Sequence, residues 1–361
     1  MSKRLISIVV VFMMAASLFT GCLSSSKTPE PAKPAAQAPA SSAPAPASNT
    51  APTAKKVIKI SNGVNEQHPT YLAAKKFAEI VNQKTNGKFD VQVYANAQLG
   101  DDVKATEAVK MGTLEMVIPS ASPLVGIDND LNVLDLPFLF PNEKAADAVL
   151  DGPTGTKIAK KLEDANIKLL AYYENGFRNI TNSVREIKSP ADLKGLKIRT
   201  MENSIHLAAF KAMGANPTPM PFSELFTAMQ QKTIDGQENP VPTIFLSKFN
   251  EVQKYCTLTG HVYGPHLLLI NKKLYDSLTA DEKKIFDDAA AESKKFQRQT
   301  NRDMNKNYVA ELRKAGMTVT ELTQEQKKAF QDAVAPVYTQ FEEKIGKALI
   351  DEVKAEIEKN K

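Results

Sequence analysis

Two arginines and an asparagine carry the chemistry this sequence is best equipped to do. Arg178 lies in ENGFRN, just past an apolar strand at 167–173. Arg199 ends a strand at 196–200, and Asn239 sits in DGQENP, where Gly236 and Pro240 set a turn. A guanidinium fork grips both oxygens of a carboxylate, and an asparagine amide adds a further hydrogen bond. The carboxyl ends of strands are where open α/β sheets collect ligands. A strand-end arginine also serves as a surface ion pair, and pattern alone leaves both readings open. Other chemistries have no foothold. The chain contains no His-Glu-x-x-His, Cys-x-x-Cys, Gly-x-Ser-x-Gly or Gly-x-x-x-x-Gly-Lys pattern. The four histidines, His68, His206, His261 and His266, are scattered, and His261 and His266 match neither one helix face nor strand alternation. Neither a metal nor a cofactor is therefore expected, and the chain reads as a binding protein rather than an enzyme.

An α/β frame must hold these residues. KVIKIS (56–61) reads as a strand, and a helix from near Thr70 carries Leu72, Phe77, Ile80 and Val81 on one stripe before stopping at Gly87. KFDVQVYA alternates as a strand, DDVKATEAVKMGT is an amphipathic helix, and LEMVIPSAS is a strand followed by a loop. Two helices, EKAADAVLDG and PTGTKIAKKLEDAN, lead to the apolar strand IKLLAYY. This rhythm predicts an α/β sheet covered by helices on both faces. In the second half, GLKIRT is a strand, SIHLAAFKAMG a helix and NPTPMP a stiff turn. FSELFTAMQQKT is a helix capped by Ser223. Strands follow around YCTLTGHVY and HLLLINKK. A very long helix then opens on a Thr279–Glu282 capping box and ends at Gly316. It outruns one small domain and should lie across two.

The outer bounds agree with a captured small molecule. The 361 residues are 42% hydrophobic and 24% charged, enough for about two domains. The net charge of +5 is modest. Its lysine pairs sit among acids and alanines, without the aromatic-studded basic stripe of a nucleic-acid protein, so no nucleic-acid partner is expected. Residues 1–22 form a secretory signal, with Lys3 and Arg4 before an apolar run too short to span a membrane. FTGC resembles the lipobox of bacterial lipoproteins, with Phe19 standing where leucine is usual, so Cys22 is expected to carry lipid. Cys256 then remains alone, with no internal disulfide, and reads as a buried small hydrophobe. Residues 23–56, rich in proline, alanine and serine, form a disordered tether. The folded part is thus expected outside the cell, lipid-anchored to the outer face of the membrane, or periplasmic.

From about Val57 to the long helix near 310, the chain resembles the solute-binding proteins of TRAP transporters, the DctP family. The blocks GLKIRT, GANPTPMPFSE and IDGQENP, in this order and spacing, carry the likeness, with TNGKFDVQVYANAQLGDD upstream. The resemblance implies a two-lobed, periplasmic-binding-protein-like α/β fold with a central ligand cleft and a long helix spanning both lobes. The lobes would be 57–175 with 265–304, and 176–264 with 305–361. It implies capture of an organic acid and delivery to the small and large membrane subunits of an ion-gradient-driven permease. Arg199 matches the arginine that forms a bidentate salt bridge with the ligand carboxylate. Arg178 matches the second arginine beside it, Asn239 the ligand-contacting asparagine, and Phe222 an aromatic that packs on the ligand. The first lobe departs from the family's sialic-acid binders. Ser120 and Pro123 stand where those have acidic and basic contacts, and Asn62 and Asn65 flank Gly63 in place of their asparagine. Glu66 and His68 offer contacts to a hydroxyl. The departure points to a smaller acid: a C4-dicarboxylate, keto acid or sugar acid. A receptor serving a sensory histidine kinase is the alternative.

Overall fold

The computed structural model describes residues 55–360; the signal segment, Cys22 and nearly all of the tether lie outside the described residues. Eleven strands occur among the described residues: β1 (Lys56–Asn62), β2 (Phe89–Tyr94), β3 (Met116–Ile118), β4 (Ile167–Phe177), β5 (Asn179–Asn182), β6 (Lys197–Thr200), β7 (Asn216–Pro219), β8 (Gly236–Asn239), β9 (Tyr255–Leu258), β10 (Tyr263–Asn271) and β11 (Thr318–Glu321). The α-helices between and after them are α1 (Pro69–Lys84), α2 (Asp102–Met111), α3 (Glu143–Asp151), α4 (Pro153–Lys161), α5 (Ser204–Ala212), α6 (Leu225–Gln230), α7 (Val241–Leu246), α8 (Lys272–Asp276), α9 (Ala280–Lys314), α10 (Gln324–Ile345) and α11 (Lys347–Lys359).

The strands form two sheets. The first runs β2-β1-β3-β10-β4, and the second β11-β9-β5-β8-β6-β7. β1 pairs in parallel with β2 and β3, as β-α-β crossovers require, while β10 returns antiparallel between β3 and β4. In the second sheet β6 lies parallel to β7 and β8, and β5 antiparallel to β8 and β9. The chain passes between sheets at Arg178, immediately after β4. There the Arg178 amide donates to Val262 O (2.8 Å) and the His261 amide donates to Arg178 O (3.2 Å), so the outgoing and returning strands are tied at the crossing.

Helix α9 serves both sheets. Its first half packs Phe286 and Ala289 against Ile58, Ile60 and Phe77 under the first sheet. Its end packs Leu312 against Ile244 and Cys256 beside the second. It starts on the expected capping box, with the Thr279 amide donating to Glu282 Oε2 (2.9 Å) and the Glu282 amide to Thr279 Oγ1 (3.3 Å). Along β4 it closes the sheet edge. Gln297 Nε2 donates to Glu174 O (2.7 Å) and Gln297 Oε1 accepts from Glu174 N (2.7 Å), as a neighbouring strand would. The last two helices turn at Gly346, whose φ is +93°, so that α10 packs on α5 and α11 on α3. Cys256 is fully buried, and burial pushes its thiol up to about 12.

Several local expectations change. NPTPMP is not a turn: Asn216–Pro219 is the edge strand β7, a position that tolerates proline because no neighbour needs its missing N–H. GQEN is not a turn either but β8, which lies inside the second sheet. Gly236 is required there by packing, since a Cβ would stand 2.1 Å from Thr181 O. Ser223 caps nothing; it lies in a 3₁₀ turn at Phe222–Glu224, and α6 has no side-chain cap. Strand β4 runs on to Phe177 past the expected end at 173, through register shifts opposite β10 that let it bend toward the second sheet.

A candidate anion-binding cleft

A cavity enclosing about 630 Å³, counted to its mouth, lies where the carboxyl ends of strands from both sheets meet. From the first sheet come Gly63 after β1, Ala97 after β2, Ser120 after β3, Asn175 in β4 and His266 in β10. From the second come Arg199 and Met201 at the end of β6, Phe222 beyond β7 and Asn239 at the end of β8. Alternation explains the aim of Arg199. Ile198 is buried in the core, and its neighbour must point the other way.

The two arginines differ in their partners. Arg178 is paired with a carboxylate: its Nε and Nη2 fork onto Glu238, and Nη2 also donates to Glu238 O (2.7 Å) and Asn239 Oδ1 (3.2 Å). Burial works to raise the Glu238 carboxyl. Arg178 and His261, whose Nε2 stands 3.3 Å away, overcome it and hold it well below the usual carboxylate range. Arg199 is equally buried, at 2% exposed, but pairs with no carboxylate among the described residues. Its Nε (2.8 Å) and Nη2 both donate to the Met220 carbonyl, leaving the end-on fork of Nη1 and Nη2 without a protein acceptor. Burial pulls this guanidinium down to about 10, Arg178 pushes the same way, and Glu238, Glu202 and Asp102 resist. It stays charged at neutral pH.

The rest of the wall is polar in a different sense. Asp101 and Asp102 open α2 against the cavity; Asp101 caps the helix and Asp102 Oδ2 accepts from Ser120 N (3.1 Å). Burial raises the Asp102 carboxyl to about 6, with Asp101 adding to the rise, while Ser120 and Arg199 work against it. His266 lines the cavity with Nδ1 2.8 Å from Thr70 Oγ1, and burial takes its pKa well below the ordinary histidine value. Asn175 Oδ1 accepts from Thr243 Oγ1 (3.2 Å). Among the described residues no group of three or more His, Cys, Asp or Glu is placed to hold a metal, and no helix is long and apolar enough to cross a membrane.

Residues 60–344 match the bacterial extracellular solute-binding proteins of family 7, DctP. The chain belongs to this family. The sugar acid binding protein DctPAm of Advenella mimigardefordensis, solved with galactonate, is 42% identical, with a TM-score of 0.83 over 85% of this chain and 99% of that one. A TRAP periplasmic solute-binding protein from Polaromonas sp JS666, bound to D-erythronate, is 38% identical, with a TM-score of 0.81 over 83% and 99% of the two chains. The C4-dicarboxylate-binding periplasmic protein DctP of Rhodobacter capsulatus is 36% identical over 302 residues, 83% of this chain and 90% of that one. The two sheets joined by α9 are thus the two-lobed fold of the TRAP solute-binding proteins.

Against this DctP frame, the expected site residues separate. Arg199, Arg178, Asn239, Phe222 and Ser120 line one cavity, together with Pro123. Asn239 has both ends of its amide in use, Oδ1 on Arg178 and Nδ2 on Gln237 Oε1 (2.5 Å). Four first-lobe residues do not line it. Asn62 is turned inward, its Nδ2 donating to Tyr94 O (3.1 Å). Asn65 reaches away to Leu246 O (2.8 Å), and Glu66 is exposed. His68 caps α1, its Nδ1 accepting from Thr70 N (3.2 Å), and burial pulls it down to about 3, so it is neutral. Their place is taken by Asp101, Asp102, Asn175 and His266, which sequence reasoning passed over. The one available signal was Asp101 itself, an N-cap at the head of an amphipathic helix.

Proposed function

We propose that this protein captures an organic acid by its carboxylate and hands it to the membrane subunits of a TRAP transporter. Arg199 carries the proposal. A buried guanidinium without a carboxylate partner, opening on a cavity, is a charge awaiting its counter-ion, and an anionic ligand gripped by the Nη1–Nη2 fork supplies it. The opposite wall refines the ligand class. Asp102 would accept a hydrogen bond from a hydroxyl and repel a second carboxylate, while Asp101 beside it is paired with Lys104 (3.0 Å), which favours a hydroxylated monocarboxylate such as a sugar acid over a C4-dicarboxylate. The galactonate and D-erythronate of the similar structures are acids of this kind.

Titration calorimetry with galactonate, erythronate and succinate tests the reading. Removing one partner of a desolvated charge pair costs about 3–5 kcal/mol, so Arg199→Ala should weaken binding by about two to four decades. Arg199→Lys should not restore it, because an ammonium is no fork. Wild-type affinity in Arg199→Ala would sink the assignment.

Binding is proposed to close a first lobe (57–175 with 265–304) on a second (176–264 with 305–361), a division in which the α11–α3 contact crosses between lobes. The protein is further proposed to be tethered outside the membrane through lipid on Cys22; fatty-acid labelling that persists in Cys22→Ser would contradict this.

A further inference from the structure

A second hollow of about 730 Å³ adjoins the acid-binding cavity, and the two share Gly63, Phe222 and Ser223 as a common wall. Beyond that wall its lining is mixed: Phe226 and Phe249 are apolar, Asn96 and Ser247 polar. The Phe222 ring, half-buried and 6.0 Å from that of Phe249, stands at the boundary. The backbone around the boundary is strained. Of seven non-glycine residues with positive φ among the described residues, Asn96 (+52°), Ala97 (+54°) and Lys248 (+58°) line these two chambers. Left-handed backbone disfavours residues with a Cβ, alanine and lysine more than asparagine, and such strain concentrates at ligand clamps. Here it is held by the Asn96 amide donating to Val64 O (2.9 Å) and the Ala97 amide to Asn62 O (3.0 Å). The result is a sill with Ala97 facing the first chamber and Asn96, exposed and without a side-chain hydrogen bond, facing the second.

We infer that the second chamber is a subsite for the distal part of an elongated sugar acid, one bearing a further sugar ring beyond the carboxylate-holding segment. This rests on the carboxylate reading of Arg199 and extends it. Aromatic faces take the apolar side of a pyranose, and the Asn96 amide with the Ser247 hydroxyl takes its hydroxyls.

Calorimetry with gluconate and with its galactosylated form, lactobionate, separates the possibilities. Lactobionate should bind the wild type within about tenfold of gluconate. Ser247→Trp, which fills the second chamber, should weaken lactobionate by at least about tenfold while gluconate changes by less than about twofold. Phe226→Ala should weaken lactobionate selectively as well, and gluconate binding in each variant reports that it is folded. Binding of gluconate with no binding of lactobionate overturns the inference. So does equal weakening of both acids in the variants, which would make the second chamber an entrance rather than a subsite. If galactonate, gluconate and lactobionate all fail to bind, the carboxylate reading itself falls and takes this inference with it.

Discussion

Arg178 and Arg199 face the same cavity, and their difference lies in one carboxylate. Glu238 neutralises Arg178, and both side chains are almost wholly buried. Glu238→Gln leaves a buried guanidinium uncompensated and should lower stability by about 3–5 kcal/mol in chemical denaturation. The Glu238 carboxyl is held below its ordinary value when folded. Its contribution is therefore complete above the ordinary glutamate range near pH 4.3 and fades as pH falls through and below it. The acid limb of the stability curve should flatten in the variant. Asp102 has the opposite sign. Its carboxyl is raised to about 6, so its ionisation opposes folding, and stability falls as pH rises from about 4 to 6. Asp102→Asn should remove that slope. Discounted for partial exposure, it should also gain about 1–2 kcal/mol at pH 7, measured by urea titration. The same ionisation bears on ligand choice, because Asp102 interacts with Asp101 and Arg199 and shares the cavity wall with Glu202. Succinate should bind more weakly as pH passes upward through about 6, while galactonate should not.

At the scale of elements, the edge of β4 is finished by a side chain. Gln297 of α9 makes the two hydrogen bonds that an adjacent strand would make to Glu174. Gln297→Leu keeps the volume and orphans both backbone groups, at a cost of about 2–3 kcal/mol in thermal or chemical unfolding; a neutral substitution would show that water replaces the amide. This contact also marks what the sequence could and could not disclose. The apolar stripe of α1, the Thr279–Glu282 box and the alternation of β2 are local signals, and they gave elements within a residue or two of those observed. β7 and β8 were hidden, because two prolines in one and a Gly-Gln-Glu-Asn run in the other carry no strand periodicity; only their neighbours β6 and β5 make them strands. The site divides the same way. Arg199 sits beside a buried alternating partner and could be placed from its own strand. Asp102 looked like the wet start of a helix, and nothing near it in sequence says that Arg199 lies across the cleft. His68 and Asn62 looked available for a ligand because their inward partners, Thr243 in α7 (Nε2–Oγ1 3.1 Å) and Tyr94 at the end of another strand, are set by tertiary packing.

The described residues form two sheets joined by the Arg178 crossing, by the return through 259–262 and by α9. Ser120 and His266 line the cavity on one side and Arg199 and Phe222 on the other, so a ligand held as proposed would bridge the halves and favour a closed arrangement by its differential affinity for it. At about a hundred times its dissociation constant, such a ligand adds about 2.7 kcal/mol, which for a chain of this size raises Tm by about 3–6 °C. Motion can be read directly with probes on Gln98 and Glu224, two exposed positions that flank the cavity residues Ala97 and Ser223 from opposite sheets. Cysteines placed there can be labelled selectively once Cys22 is replaced by serine, since Cys256 is buried and its thiol is raised to about 12. The probe separation should shorten when galactonate is added to the otherwise wild-type protein and stay fixed in the Arg199→Ala background. A thermal shift without any change in separation would mean that the cleft is preformed. Binding would then rest on rigid complementarity, and the presentation of a closed form to the membrane subunits would have to be abandoned.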